Sequence, residues 1–304
     1  MDDLKNFRQL GSKTPGHPEY RHTPGIDATS GPLGQGIAQA AGMAMAEQSL
    51  AHMYKDGDKI FNHYTYCLCG DGCLEEGISQ EAISFAGLQK LNKLILMYDC
   101  NDVTLDGPLS NSSVENTVGR FQSAGWNVIK VEDGNSVEDI DKAITIAKQS
   151  QEKPTMIMVH TVIGYGSAKQ GTHKVHGSPL GIEDGEHAKK VYGYNYGPFE
   201  VPEEVYYTFR ESFVKRGQEA YANFAKVWKD YKDENYDEAL KIESTVDNDV
   251  STLVYKDIPS YSEEFADSTR NCSGACLNIL NKQVFNLIGG SADVAGSVMT
   301  HIKD

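Results

Sequence analysis

No stretch of this chain is apolar for long enough to cross a bilayer. The longest such run lies around Leu94–Tyr98, far short of the roughly 20 residues a spanning helix needs. The opening MDDLKNFRQL carries no apolar segment of the kind a secretory leader has, so the cytoplasm is the expected location. Positive charge is scarce: Lys plus Arg number 28 against 43 Asp plus Glu, a formal net charge of -15. That balance argues against non-specific attachment to nucleic acid or an anionic membrane, because like charges repel. Any phosphate the protein binds must be met locally.

Cysteine is also sparse. Six occur in 304 residues, with Cys67, Cys69 and Cys73 crowded together and Cys272 and Cys276 far away, which is not the layout of a secreted disulfide framework. A zinc cluster at Cys67, Cys69 and Cys73 is the sharper alternative. Alternate strand positions point to opposite faces, however, so small buried or half-buried thiols are expected, with no metal on cysteine. Proline is limited to 10 against 29 glycines, a ratio that suits many tight backbone turns rather than a low-complexity chain. There is no internal repeat and no sustained heptad. No Gly-x-Gly-x-x-Gly follows the first strand with an acidic residue at the end of the next, which sets aside a nicotinamide-binding Rossmann protein. What remains is a globular composition, 39% hydrophobic and 9% aromatic, long enough for one large domain or two ordinary ones.

The chain reads as alternating strands and helices. Residues Gly34–Tyr54, proline-free and crowded with Ala, Met and Gly, predict a helix packed closely against another backbone. His63–Cys69 predicts a strand, Gly70–Gly72 a turn, and Gly77–Leu91 a helix with Ile78, Ala82, Phe85 and Leu88 at helical spacing. Leu94–Tyr98 predicts a second buried strand, completing a βαβ unit whose ligands lie at the strands' carboxyl ends. Trp126–Val131, Ser136–Gln149 and Pro154–Thr161 continue as strand, helix and strand. The fold class is therefore α/β, a parallel sheet with helices on both faces. After Pro202 the chain turns charged and helical, and 230–249 is strongly acidic, as a solvated helix and linker would be. Beyond Phe265 a second α/β domain is expected to begin, with an apolar strand at Val284–Ile288 before Gly289-Gly290.

Gly70-Asp71-Gly72 stands at the end of one predicted strand and Asp99-Cys100-Asn101 at the end of the next, so the two converge on one sheet edge. Magnesium takes about six oxygen ligands and commonly only one or two carboxylates plus phosphates. Asp71, the Asn101 amide oxygen and a nearby carbonyl, with a diphosphate and a water, would complete such a shell. The triplet alone reads first as an aspartate in a glycine turn, since turns are rich in these residues.

Longer words go further. GSKTPGHPE (11–19), TSGPLGQG (29–36), GDGCLEEGISQEA (70–82), LDGPLSNS (105–112), GTHKVHGSPLG (171–181), PFEVPEEV (198–205) and GGSADVAGS (289–297) together resemble transketolase over nearly the whole chain. The resemblance implies the thiamine diphosphate-binding fold and a transferase of the pentose phosphate pathway. That enzyme moves a two-carbon ketol unit between ketose and aldose phosphates, uses thiamine diphosphate with Mg²⁺ (Ca²⁺ as a substitute), and works as a homodimer. It places Asp71, Asn101 and the Val103 carbonyl on the metal, and Gly31, Pro32, Leu33, Gly72, Glu76, Asn101 and His176 about the cofactor. Glu76 and Glu81 match acidic positions near the dimer interface. His17 and His176 match catalytic histidines facing the cofactor's reactive carbon and the sugar hydroxyls, and Arg270 and Ser297 match residues that grip the sugar phosphate. Backbone amides of GPLGQG at a helix start suit a diphosphate, histidine suits proton transfer near neutral pH, and arginine offers phosphate a planar fork.

The expected organisation is a diphosphate-binding domain over 1–200, an acidic helical linker over 201–261, and the opening of the pyrimidine-binding domain over 262–304. Relative to the family the chain is expected to lack the amino-terminal histidines and the glutamate that protonates the aminopyrimidine ring. The alternative is a non-catalytic or split-enzyme half that binds Mg-thiamine diphosphate and needs a second chain. Smaller departures are Cys100 beside the metal ligand, Ser167-Ala168-Lys169, and Val298 after the phosphate-site serine.

Overall fold

A computed structural model describes residues 1–247, 251 and 257–303. The chain divides into two compact units, Met1–Ala51 with Asp58–Ala222, and His52–Gly57 with Asn223–Asp304.

The first unit opens with a short helix α1 (Asp2–Lys5), a run of turns and bends, and the long helix α2 (Gln35–Met53). Strand β1 (Thr65–Gly70), helices α3 (Asp71–Glu75) and α4 (Gly77–Leu88), and strand β2 (Leu94–Cys100) follow. Then come α5 (Thr117–Ser123), β3 (Asn127–Val131), α6 (Val137–Ala147), β4 (Thr155–His160), α7 (Ile182–Tyr192) and α8 (Glu203–Phe209). The four strands form one sheet of order β1-β2-β4-β3, and every adjacent pair is parallel.

Helices cover both faces, as the sequence leads one to expect. Leu94, Leu96, Tyr98 and Cys100 of β2 share one face with Cys67 and Cys69 of β1 and pack against α2, α4 and Phe121. Ile95, Ile157, Val159 and Val131 share the other and pack against Ala143 and Ala147 of α6. Each fully buried Leu or Ile of this kind contributes about 1.5–3 kcal/mol. Small residues let α2 approach closely: Ile37, Ala40, Ala41 and Ala44 are buried at helical spacing. The next turn buries Glu47, whose charge is met by Lys93. In α4 a Cβ on Gly87 would run into the Ala124 carbonyl oxygen, and Trp126 Nε1 donates to the Ile83 carbonyl at 2.8 Å. Helix α4 stops at Leu88, short of the expected Leu91. Lys90 takes φ 54°, and the Leu91 amide turns back to the Ala86 carbonyl at 3.1 Å, a capping geometry that closes a helix.

Three expectations are corrected. Cys67 and Cys69 are two residues apart and so lie on the same buried face; β1 does not split them, because side chains repeat with period 2. Gly70–Gly72 is not a simple turn, since Asp71 already begins α3 directly at the strand's end. Val284–Ile288 forms no strand. Its amides are spent on turns, Val284 N–H to the Leu280 carbonyl at 2.8 Å and Leu287 N–H to the Val284 carbonyl at 3.3 Å. A strand needs a neighbour to satisfy its other backbone groups, and among the described residues none pairs with it.

In the second unit α9 (Arg216–Glu234), most of which belongs here, is followed by α10 (Tyr236–Val246), α11 (Thr269–Asn281) and α12 (Ala295–Val298). Tyr231, Ala239 and Ile242 are buried, and the Tyr231 hydroxyl donates to the Lys55 carbonyl at 2.8 Å. Gly274 of α11 lies against Met299 at the end of α12, where a Cβ would stand 2.7 Å from the methionine Cβ. No helix among the described residues is long and apolar enough to cross a membrane.

Candidate functional site

Parallel pairing places Gly70 beside Asp99, so β1 and β2 end abreast and the residues that follow share one edge. A cavity of about 940 Å³ opens there, lined from β1 and its helix by Gly70, Asp71, Gly72, Cys73, Glu75 and Glu76. The end of β2 and its loop supply Asp99, Asn101, Val103, Thr104, Asp106 and Asn111. The segment after β4 supplies Ile163, Val175 and His176.

Asp71 is 4% exposed. Burial pushes its carboxyl above the ordinary aspartate value, while hydrogen bonds from Tyr98 and from the Asn101 amide pull it back. The Tyr98 hydroxyl donates to Oδ1, and the Asn101 N–H donates to Oδ2 at 3.3 Å. Asn101 Oδ1 in turn accepts the Val103 N–H at 3.1 Å. This tight turn is possible because Asp102 adopts φ 60°, a left-handed conformation that aspartate tolerates better than most residues. The loop beyond is tied by Thr104 N–H to the Gly107 carbonyl at 2.8 Å and Leu109 N–H to the Asp102 carbonyl at 2.9 Å.

The GPLG loop is wedged against the start of α4. Gly34 has φ 83° and a Cβ there would come within 2.8 Å of Ile78 and Ser79 and 2.9 Å of Glu76. Leu33 reaches the cavity wall, and a Cβ on Gly72 would stand 3.3 Å from its Cδ1. His176, half-buried just past a turn of 3-10 helix (His173–Val175), presents a buried Nδ1 with no hydrogen-bond partner. A buried polar atom left so is costly unless something else satisfies it.

The structure thus gathers Asp71, Asn101, Val103, Gly72, Glu76, Leu33 and His176 around one cavity. Gly31, Pro32, His17 and Glu81 do not line it. Gly31, at φ 148°, packs under the His17 ring, where a Cβ would be 2.6 Å away; His17, Pro32 and Glu81 are exposed. Arg270 and Ser297 belong to the second unit and are exposed there. Sequence reasoning missed Tyr98, Thr104 and Asp106. Tyr98 sits in an apolar run and reads as core. The one signal that could have found it is a hydroxyl-bearing aromatic three residues before the candidate amide ligand.

The donor chemistry fits a magnesium diphosphate. One carboxylate, one amide oxygen and one main-chain carbonyl form an all-oxygen set with room for phosphate oxygens, and the unsatisfied His176 Nδ1 leaves a polar contact for a bound molecule. Among the described residues no group of three or more His, Cys, Asp or Glu side chains is placed to hold a metal, so a shell here must draw on Asn101 and backbone.

A parallel α/β sheet with an acidic, amide-bearing cavity at its carboxyl edge places the protein among the open α/β folds that bind ligands outside the carboxyl ends of their strands. The family comparison is more specific. Residues 1–251 match the model "Transketolase, thiamine diphosphate binding domain". Over its full length the chain is 49% identical to a probable transketolase of Streptococcus pneumoniae serotype 4 and 47% identical to the transketolase of Geobacillus stearothermophilus, covering 46% of each. Among solved structures it resembles transketolase from Leishmania mexicana (TM-score 0.92, 41% identity, 99% of this chain and 45% of that one). It also resembles a Pichia stipitis transketolase solved in complex with sedoheptulose 7-phosphate (TM-score 0.93, 38% identity, 99% and 45%). The chain belongs to the transketolase family and carries its thiamine diphosphate-binding domain. It spans about half the length of the curated relatives it matches.

Proposed function

We propose that the protein acts in transketolase-type transfer of a two-carbon ketol unit from a ketose phosphate to an aldose phosphate, holding Mg²⁺-thiamine diphosphate in the cavity at the β1–β2 edge. The observation that carries this reading is the convergence of Asp71, Asn101 and Val103 with the unsatisfied Nδ1 of His176 in that one cavity. Asp71, Asn101 and the Val103 carbonyl hold the metal, and Ca²⁺ can take its place. Leu33, Gly72, Glu76 and Asn101 line the cofactor, with Gly31 and Pro32 shaping the loop that leads to it. The cofactor, when bound, supplies the carbon that takes up and passes on the two-carbon unit. His176 binds and positions at the cavity wall, and with His17 moves protons from sugar hydroxyls. Arg270 and Ser297 grip the sugar phosphate, whose class is that of the sedoheptulose 7-phosphate bound by the Pichia stipitis relative.

Because the relatives are about twice as long, the reading includes a division of labour. Residues 1–200 form the diphosphate-binding domain, 201–261 the linker and 262–304 the opening of the pyrimidine-binding domain. The remaining groups come from a complementary chain or further sequence, in a cytoplasmic homodimer. The test has two arms. Calorimetry of thiamine diphosphate with Mg²⁺ is expected to show binding by the wild type and its loss in Asp71→Ala, which removes the only full negative charge of the shell; equal binding by both ends the metal assignment. Transfer from xylulose 5-phosphate to ribose 5-phosphate is then followed with the 304 residues alone and with a polypeptide carrying the remainder. Little or no transfer alone and recovery on mixing is the expected result. Full activity alone would overturn the division of labour.

A further inference from the structure

Behind the cavity lies a buried hydrogen bond that the metal assignment does not use. Tyr98 is 2% exposed and Cys100 3%. Both lie on the same covered face of β2, two residues apart, and Tyr98 is in register with Cys69. Asp71 follows two residues after Cys69, so a tyrosine that leans along its strand meets the aspartate from beneath. Its hydroxyl donates to Asp71 Oδ1. A phenol has one proton to give. With that proton committed to Asp71, the phenol holds the carboxylate from the core side.

We infer that Tyr98 is a positioning residue for the metal site, which locks the Asp71 carboxylate in the orientation a divalent cation requires. This rests on the metal reading above and goes beyond it. Oδ1 is held by Tyr98 and Oδ2 by the Asn101 amide at 3.3 Å, so the carboxylate is gripped at both oxygens and cannot rotate freely. A cation arriving from the cavity meets it pre-oriented rather than having to order it. Groups that orient a metal ligand from behind commonly change affinity by about 10- to 100-fold when removed.

The experiment uses the 304-residue chain with thiamine diphosphate and Mn²⁺ as probe, reading free and bound Mn²⁺ by electron paramagnetic resonance alongside the thermal unfolding midpoint. Tyr98→Phe is expected to weaken Mn²⁺ binding by about 10-fold or more and to broaden the bound-Mn²⁺ spectrum, with the fold retained. Wild-type affinity and spectrum in Tyr98→Phe, with binding lost in Asp71→Ala, overturns the positioning role and leaves the metal reading standing. Should Tyr98→Phe fail to fold, Tyr98→Met, which fills the core without a donor, decides: weakened binding supports the role, and wild-type binding overturns it. Binding by Asp71→Ala equal to the wild type, or no Mn²⁺ affinity in the wild type, overturns the positioning role and the metal reading together.

Discussion

The carboxyl ends of four parallel strands could all have served as a ligand edge, yet β3 and the other three end differently. Beyond β3 the chain seals itself: the Gly134 N–H donates to the His160 carbonyl at 2.8 Å, and the Asn135 N–H donates to Asp133 Oδ1 at 2.9 Å. A Cβ on Gly134 would stand 2.6 Å from Thr161 Cγ2 and 2.8 Å from the His160 oxygen. No space is left there. Beyond β1, β2 and β4 the loops instead part around about 940 Å³, leaving a buried carboxylate and an unsatisfied imidazole nitrogen. Backbone satisfied by backbone gives rigidity; side chains left partly unsatisfied give a binding site. If that contrast is right, changes on the open edge alter binding and turnover, and changes on the sealed edge alter stability alone.

The largest effect is expected at His176. In the complete enzyme, His176→Ala should lower kcat by about 10²- to 10⁴-fold, the range for a positioned proton-transfer group, while cofactor affinity falls much less. Steady-state kinetics with calorimetry on the same variant separates the two. Unchanged kcat would remove His176 from the chemistry and reduce its orphaned nitrogen to a packing defect.

How far the open edge was legible in the sequence differs by residue. Asp71 and Asn101 could be placed because each stands at the end of a strand whose apolar run is unmistakable, and a parallel unit brings such ends together. The limits of β1, β2 and β4 fall within two residues of those expected for the same reason. Helix α3 was hidden, since five residues are too few to show a period. Val284–Ile288 misled because an apolar run before Gly-Gly has the composition of a strand, and composition does not say whether a neighbour exists to pair with. Tyr98 was hidden because its ring belongs to the core while its hydroxyl belongs to the site. Asp106 and Asn111 depend on how a loop closes, which is decided by bonds such as Thr104 N–H to Gly107 and not by local preference.

The next effect belongs to the sealed edge. Gly134→Ala should cost about 3 kcal/mol, the upper part of the range for overpacking, because the obstacle is a backbone oxygen that cannot rotate away. Urea unfolding measures this, and Mn²⁺ binding in the same variant should be unchanged. A large loss of metal affinity would show that the two edges are coupled after all.

A smaller effect tests the floor beneath the open edge. Burial, with a minor contribution from Cys73, pushes the Cys67 thiol from 9.0 up to about 11, and burial pushes Cys69 in the same direction. The folded state therefore holds the proton after the unfolded state has released it. Between those two values the folded chain binds more protons than the unfolded one, so stability falls as pH rises, by on the order of 2 kcal/mol for Cys67. Below pH 9 this contribution is flat. Comparing unfolding free energies of wild type and Cys67→Ala at pH 8 and pH 11 isolates it from the other groups that titrate there. Equal alkaline losses in the two proteins would mean that Cys67 is not held in an apolar setting.

The smallest expected effect lies at the start of α6, the helix that backs β3 and β4. Ser136 caps it: its Oγ accepts the Asp139 N–H at 3.3 Å and donates to Asp139 Oδ2 at 2.9 Å, satisfying an amide the helix cannot satisfy itself. Asp139, paired also with Lys142, is held below the usual aspartate range by Ser136 first and Lys142 second, and its negative charge sits favourably in the first turn. Ser136→Ala removes the cap and should cost about 1 kcal/mol. Ser136→Asp should restore most of that as a cap, less the repulsion it introduces with Asp139. Because Ala143 and Ala147 of this helix pack on the far face of the sheet from Tyr98 and Cys100, neither substitution should move Mn²⁺ affinity. A cap variant that weakened the metal site would show that strain passes through the sheet, and the division between a rigid edge and a working edge would then fail at its weakest point.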